Sequence, residues 1–474
     1  MIPYPSWLNS GDNAWQLVAA TLVGLMSVPG LALLYGGLVQ RKWVVNTMLM
    51  AFIGFSLVLV AWVLYEFNMA FGHPLTPNLP GILGSFVGKP WPILSHQAEE
   101  GQASIPLLDS GVPPWHFPKS SLAYFQFAFA AITPLLFLGS VLGRMSFKAW
   151  LLFVPLWSGL VYSVNAFLLW GGGWWAAKGA LDYSGGYVIH LAAGVSGFVA
   201  AAVIGPRLAR DRAKPVPNNL MMVAAGAGIL WLGWNGFNGG DMYFAGMNAS
   251  AAVINTNLAT AVGVVSWVIM DMLFSKQRKP TFLGGINGML CGLVGITPAA
   301  GYVDGLGAIA IGFGTSFLVW FAWNYLPRTW PFRKVDDAMG VVYTHGFAGL
   351  VGGLLTGLLA NPGMAVYLAD PNVPNSTGFA TTGLLFGNPK QLWLQAGAAG
   401  TIILWDAGMT FVILMVIRIF VKLRMPDEAL ETGDVAIHDE EAYPSEPILA
   451  GAAALSSSGA PAVTAAPQRT PEPA

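Results

Sequence analysis

Charge is what this 474-residue chain has least of. Asp, Glu, Lys and Arg together make 9% of it, against about 25% in an average soluble domain. Cysteine is nearly absent as well: Cys291 stands alone in an apolar stretch, which excludes an internal disulfide and fits a small packed hydrophobe. No basic patch extends beyond short loops, which excludes nucleic-acid recognition. No positively charged leader precedes the first apolar segment, the first basic residue being Arg41, so we expect that segment to be a span and not a signal peptide. No carboxylate or thiolate is spaced to complete a metal site around a histidine pair, so neither a metal nor a cofactor is expected. What is abundant is apolar: 55% of residues are hydrophobic, with 58 Gly and 19 Trp, and the mean hydropathy is +0.59. The chain therefore reads as an all-α polytopic membrane protein, Gly allowing close helix packing and Trp anchoring at interfaces.

A helix needs about 20 apolar residues to cross a bilayer. That ruler gives eleven spans, at 14–36, 44–72, 120–142, 147–170, 184–205, 218–238, 250–274, 282–300, 302–326, 341–360 and 391–421. Basic residues fix the orientation. Arg41, Lys42, Arg144, Lys148, Arg207, Arg210, Arg212, Lys214, Lys276, Arg278, Lys279, Arg328, Arg333 and Lys334 fall on one side, with Arg418, Lys422 and Arg424 after the last span. Only Lys89, Lys119, Lys178 and Lys390 fall on the other. The expectation is a multi-pass protein of the cell (inner) membrane with its N-terminus outside and its C-terminus in the cytoplasm. Two outer loops, 73–119 (with Glu99, Glu100 and Asp109) and 361–390, read as irregular caps. A transmembrane domain at 1–424 is followed by an acidic cytoplasmic segment at 425–444 and a disordered Ala/Ser/Pro-rich tail at 445–474.

The stretch that organises the chain is Asp182 to Gly197, DYSGGYVIHLAAGVSG. Asp182 and Ser184 are helix-start residues. His190 lies inside the apolar run, where an ionisable side chain must face a bundle interior or a pore. The pattern HxxAGxxG at His190–Gly197 returns at His345–Gly352. Val44-Val-Asn46-Thr47 in span two likewise resembles Val253-Ile-Asn255-Thr256 in span seven. Both matches are offset by five spans. Five is odd, so the halves at about 12–205 and 218–360 are inverted repeats, with the eleventh helix peripheral and the working site near the midplane. Such an axis would bring His190 and His345 together, where two imidazoles can share one proton. The alternative for each histidine is a hydrogen bond to a core carbonyl. Aromatic rings at Phe129, Trp170 and Phe237 could attract a small cation, or belong to an interfacial belt. An enzyme finds little support: Ser184 is six residues from His190, off the spacing of a shared helix face, and no nucleophile elbow is present.

LMSVPGLALLYGGLVQRKWVVNTM (25–48), DYSGGYVIH (182–190), GWNGFNGG (233–240), GITPAAGYV (295–303) and DDAMGVVYTHGFAG (336–349) resemble the ammonium transporter/Rhesus family, on its ammonium transporter branch. The resemblance covers about residues 12 to 443. It implies an eleven-span homotrimer with one pore in each subunit. It implies a recruitment site at Phe129, Trp170 and Asp241, a gate at Phe129 and Phe237, pore histidines at His190 and His345, and a structural acid at Asp182. It also implies pore walls at Leu31, Tyr35, Ile132, Leu136, Leu230, Trp234 and Val341. Substrates would be ammonium, ammonia and methylammonium. The tail residues Gly433, Asp434, His438, Glu440 and Tyr443 match a regulatory motif, implying a PII-type nitrogen signalling protein as a cytoplasmic partner. Asp241 departs from the Ser of many members, Asn235 from a large residue, and Glu66 and Asp406 have no assignment. A Rhesus-like NH3 or CO2 channel, and an ammonium sensor acting through its tail, are the alternative readings.

Overall fold

The computed structural model describes residues 5–108, 114–213, 216–368 and 378–444. Asp109, Lys214 and the 445–474 tail lie outside them. Among the described residues, ten helices are long and apolar enough to cross a membrane: α1 Ser10–Leu38, α2 Arg41–Phe71, α3 Lys119–Val141, α4 Phe147–Lys178, α5 Gly186–Ile204, α6 Leu220–Gly239, α7 Met247–Phe274, α9 Gly305–Arg328, α10 Val342–Leu359 and α11 Pro389–Phe420. The shorter α8, Phe282–Ile296, completes eleven.

The links between helices sort into two faces. On one, Lys42 bridges Asp211 at 3.2 Å, Arg207 bridges Asp336 at 2.8 Å, and Asn218 donates to Val39 O at 2.9 Å. Buried Arg144 donates to the carbonyls of Ser140, Gly205 and Asp336, tying three segments there. On the other, Gln391 donates to Gly179 O at 2.9 Å, Asn9 N–H to His116 O at 2.8 Å and Tyr367 OH to Met242 O at 3.3 Å. Alternate links meet alternate links, as they must if every helix crosses the layer. We call these the C-terminal and N-terminal faces.

The C-terminal face also holds α12, Asp427–Thr432, and α13, Asp434–His438. The Asp434 carboxylate accepts from Val45 and Asn46 N–H at 2.8 and 2.9 Å, satisfying orphan donors at the start of α2. Tyr443 OH donates to Asn218 at 2.8 Å. Segment 425–444 is thus folded onto the helices.

Three differences from the sequence expectation have local causes. Helix α8 ends at Ile296 and α9 starts at Gly305, several residues inside the expected boundaries. Pro298 has no N–H to continue the helix ladder, and Asp304 restarts a helix by capping Gly307 N–H at 2.9 Å. The freed carbonyls of Thr297 and Pro298 accept from Ser184 and Tyr183 N–H, both at 3.1 Å, and so carry the start of α5. Helix α4 is interrupted at Gly171–Gly173 and runs on to Lys178, beyond its expected end. Finally, β1 Ala365–Tyr367 pairs antiparallel with β2 Phe379–Ala380 in a loop expected to be irregular.

Helices α5 and α10 share a local form. Each opens on a π-turn, Gly186–Leu191 and Val342–Phe347, and each turn carries its histidine. They cross where Gly194 meets the Gly346 backbone, an approach that any Cβ at Gly194 would block. Asn46 and Asn255, the other matched pair, lie at opposite faces. Asn46 meets His438 at 3.0 Å on the C-terminal face, and Asn255 holds the Ala300 and Val303 carbonyls on the N-terminal face.

Candidate functional site: two cavities and a histidine pair

Asp182 sets the start of α5. Its Oδ1 accepts from Gly185 and Gly186 N–H at 3.0 and 2.6 Å, and its Oδ2 from Tyr187 and Val188 N–H at 2.9 and 3.0 Å. Gly185 makes this possible with φ +109°, a left-handed conformation that favours glycine. A carboxylate has about four acceptor positions, and here all are taken by backbone. Burial raises the Asp182 carboxyl to about 6, with the four N–H donors opposing that rise, so it is ionised at neutral pH. It is a cap with no lone pair to spare for a cation.

The cap positions His190. Its Nδ1 lies 3.2 Å from His345 Nδ1, with ring centroids 5.3 Å apart and planes at 29°. One ring must donate and the other accept. Both rings are buried, and His190 Nε2 has no hydrogen-bond partner among the described residues. Trp234 stacks on His190 at 5.3 Å and is itself held by Thr297 Oγ1 at 2.9 Å.

Towards the N-terminal face the aromatic rings close ranks. Phe237 lies 5.9 Å from His190, Phe129 tilts onto Phe237 at 4.4 Å, and Trp170 meets Phe129 edge-on at 6.1 Å. Trp170 is fixed by its Nε1 donating to Asp182 O at 2.7 Å. Beyond it opens a cavity of about 530 Å³ whose walls include Trp170, Asp182, Tyr183, Asp241, Tyr243 and Tyr302. On the C-terminal side a second cavity, of about 270 Å³, is lined by Leu31, Tyr35, Leu136, Leu230, Trp234, Val341 and His345. Phe129, Phe237 and His190 line neither cavity and stand between them. Ile132, expected in the wall, also lines neither. It is buried, one turn beyond Phe129 on α3.

The chain matches the Ammonium Transporter Family over residues 14–443. It is 47% identical to "Ammonium transporter 2" of Arabidopsis thaliana over 442 residues, 93% of this chain and 89% of that protein. It is 46% identical to "Ammonium transporter 2 member 1" of Oryza sativa subsp. japonica, covering 93% of this chain and 88% of that one. The crystal structure of Saccharomyces cerevisiae Mep2 superposes with a TM-score of 0.74 at 28% identity, covering 89% of each chain. The chain belongs to the ammonium transporter family.

Two positioning residues of this family member escaped the sequence reading. Asp337 accepts from Val341 and Val342 N–H at 3.2 and 2.8 Å at the start of α10. It precedes His345 by the interval at which Asp182 precedes His190, so the signal was present in the repeat itself. Thr297, which orients Trp234, lies in the GITPAAGYV block, which carries no sign of that contact. The unassigned polar residues find partners on neighbouring helices. Both oxygens of Asp406 accept from Asn165 Nδ2 at 3.0 Å, and Glu66 accepts from Ser158 Oγ at 2.7 Å. Asn235 accepts from Asn257 at 2.7 Å, and Asn257 accepts from Trp231 Nε1 at 3.0 Å, on a half-buried flank of α6 and α7. Among the described residues no group of three or more His, Cys, Asp or Glu could hold a metal ion.

Proposed function

We propose that the chain is an ammonium transporter that gathers NH4+ at the cavity on the N-terminal face and conducts NH3 past the histidine pair. The observation that carries this is the sequence of environments along one path. A cavity with aromatic faces and two carboxyl groups gives way to a closure of phenyl rings, then to two buried imidazoles, then to a mostly apolar cavity. Trp170, Phe129 and Asp241 are the recruitment site, and Phe129 with Phe237 the gate. A desolvated cation–π site returns about 2 kcal/mol, whereas taking an ion out of water costs several kcal/mol even after relaxation. The ammonium ion therefore leaves its proton before the gate, and NH3, a neutral hydrogen-bonding solute, meets the free His190 Nε2. The shared Nδ1 contact suits relay of a proton alongside it.

Lys and Arg bias supports an orientation with the N-terminal face outside the cell membrane and the C-terminal face in the cytoplasm. A polar ladder of Trp231, Asn257 and Asn235 on a flank that would otherwise meet lipid supports a homotrimer packed through that side. The folded segment 425–444 is the surface on which we place a PII-type signalling protein.

Proteoliposomes carrying the protein, read by solid-supported membrane electrophysiology and by uptake of labelled methylammonium, test the reading. Transport by the wild type is expected, with charge moved per substrate lost in His190→Ala. Unchanged charge per substrate in that variant removes the relay, and no uptake by a folded wild type removes the transporter reading.

A further inference from the structure

Two carboxyl groups face the cavity on the N-terminal face, and their surroundings differ. Asp182 receives four backbone N–H donors, an arrangement that only an anion uses fully. Asp241 receives none among the described residues. Its carboxyl touches one polar side chain, Ser184, whose Oγ contacts Asp241 Oδ2 and also lies 2.7 Å from Phe237 O. A serine hydroxyl carries one proton, and a carbonyl oxygen can only accept. If Ser184 donates to Phe237 O, the hydrogen between Ser184 and Asp241 comes from Asp241. No described residue lining the cavity is Lys, Arg or His. The titratable groups that act on Asp241 are Asp182 and the phenols Tyr162, Tyr183, Tyr243, Tyr302 and Tyr367, none a cation at working pH. Burial lifts the Asp241 carboxyl well above its ordinary value, the Asp182 charge adds to that, and Ser184 opposes it. Neighbouring acids pushed apart in this way divide into a permanent anion and a proton carrier.

We propose that Asp241 is the group that takes the proton from the ammonium ion. As the cation enters, neutral Asp241 releases its proton to the water of the cavity and pairs with NH4+ as a carboxylate. At the Phe129–Phe237 closure one N–H bond breaks and an O–H bond forms at Asp241. The N–H electron pair stays on nitrogen, and NH3 goes forward. The acid is restored, and each cycle delivers one proton to the cavity water, from which the histidine pair can relay it alongside NH3. This rests on reading the cavity as the port of entry for ammonium, and it gives a sequence departure from the family pattern a chemical role.

The sign follows from the exchange. A proton must leave for the cation to pair, so ammonium binding strengthens as pH rises, by up to tenfold per pH unit while Asp241 stays mostly neutral. The test compares apparent KM for ammonium in proteoliposomes between about pH 5.5 and 7.5, a window in which a raised carboxyl titrates, for the wild type, Asp241→Asn and Asp241→Ser. The wild-type KM should fall with rising pH, and both variants should show a flat profile. A second measurement needs no active variant. Saturating ammonium added to weakly buffered, detergent-solubilised wild type should release about one proton per protomer, read with a pH dye, by the same linkage. A flat wild-type profile, an unchanged slope in Asp241→Asn, or no released proton overturns the role of Asp241 while leaving transport itself in place. Absence of ammonium transport by the wild type would instead strike the port-of-entry reading.

Discussion

His190 and His345 face each other through like atoms, Nδ1 to Nδ1, at 3.2 Å. Two such nitrogens cannot both carry hydrogen or both lack it at that distance, so the two rings take opposite tautomers. Removing one ring leaves the other buried and unpartnered, at about 1–3 kcal/mol, whereas replacing both with apolar rings removes the unpaired group altogether. In a double-mutant cycle on thermal stability, His190→Phe with His345→Phe should cost less than the sum of the single changes. Simple additivity would mean that the contact is not made.

The two caps rank differently. Asp182→Ala strips four N–H partners from α5, and Asp337→Ala strips two from α10. Hydrogen bonds to charged groups are worth about 1.5–3 kcal/mol each in the general case. Thermal unfolding in detergent should therefore fall further for Asp182→Ala, with uptake abolished. Asp337→Ala should be the milder change in both. Equal losses would contradict the count of donors.

The legible part of the site was the part written in repeated, chemically costly residues. The histidines announced themselves because an ionisable group amid apolar helix needs a reason, and the structure brings them into contact. Asp182 read as a cap because acids favour helix starts. Its equivalent Asp337 lies upstream of the HxxAGxxG block that carries the repeat, beyond the reach of that match. Six of the seven expected wall residues line one cavity, and Ile132 is buried on α3 one turn from Phe129. Thr297 was invisible because its role comes from a helix break that apolar composition hides. Hydropathy located eleven helices but not the ends of α4, α8 and α9, which Gly171–Gly173, Pro298 and Asp304 decide.

Trp170 contributes both an aromatic face at the cavity and a brace to Asp182 O. Trp170→Leu removes both. With cation–π contacts worth about 0.5–2 kcal/mol, the apparent KM for ammonium should rise roughly 2- to 30-fold, with maximal rate changed less. A fall in maximal rate with KM unchanged would move Trp170 out of the recruitment site.

The Arg207–Asp336 bridge ties two links on the C-terminal face. Burial raises the Asp336 carboxyl, but the hydrogen bonds and charge of Arg207 outweigh it and hold the group below its ordinary value. Its stabilisation is therefore present above the unfolded carboxylate value of about 3.9 and is lost as pH falls through the lower folded value. The thermal stability gap between the wild type and Arg207→Ala should be constant from about pH 7 to 5 and close below about pH 4. A gap that persists or widens in acid would show that Arg207 stabilises the fold without the Asp336 charge.

The central claim is that ammonium crosses the closure only by giving up a proton. Potassium, a cation of similar size with no proton to give, tests it most directly. Side-by-side fluxes of ammonium and K+ through the same proteoliposomes, at concentrations where K+ competes at the outer cavity, should show ammonium uptake and no K+ flux above protein-free vesicles. A K+ flux comparable to that of ammonium would contradict the account, because it would mean that intact cations pass Phe129, Phe237 and the histidine pair.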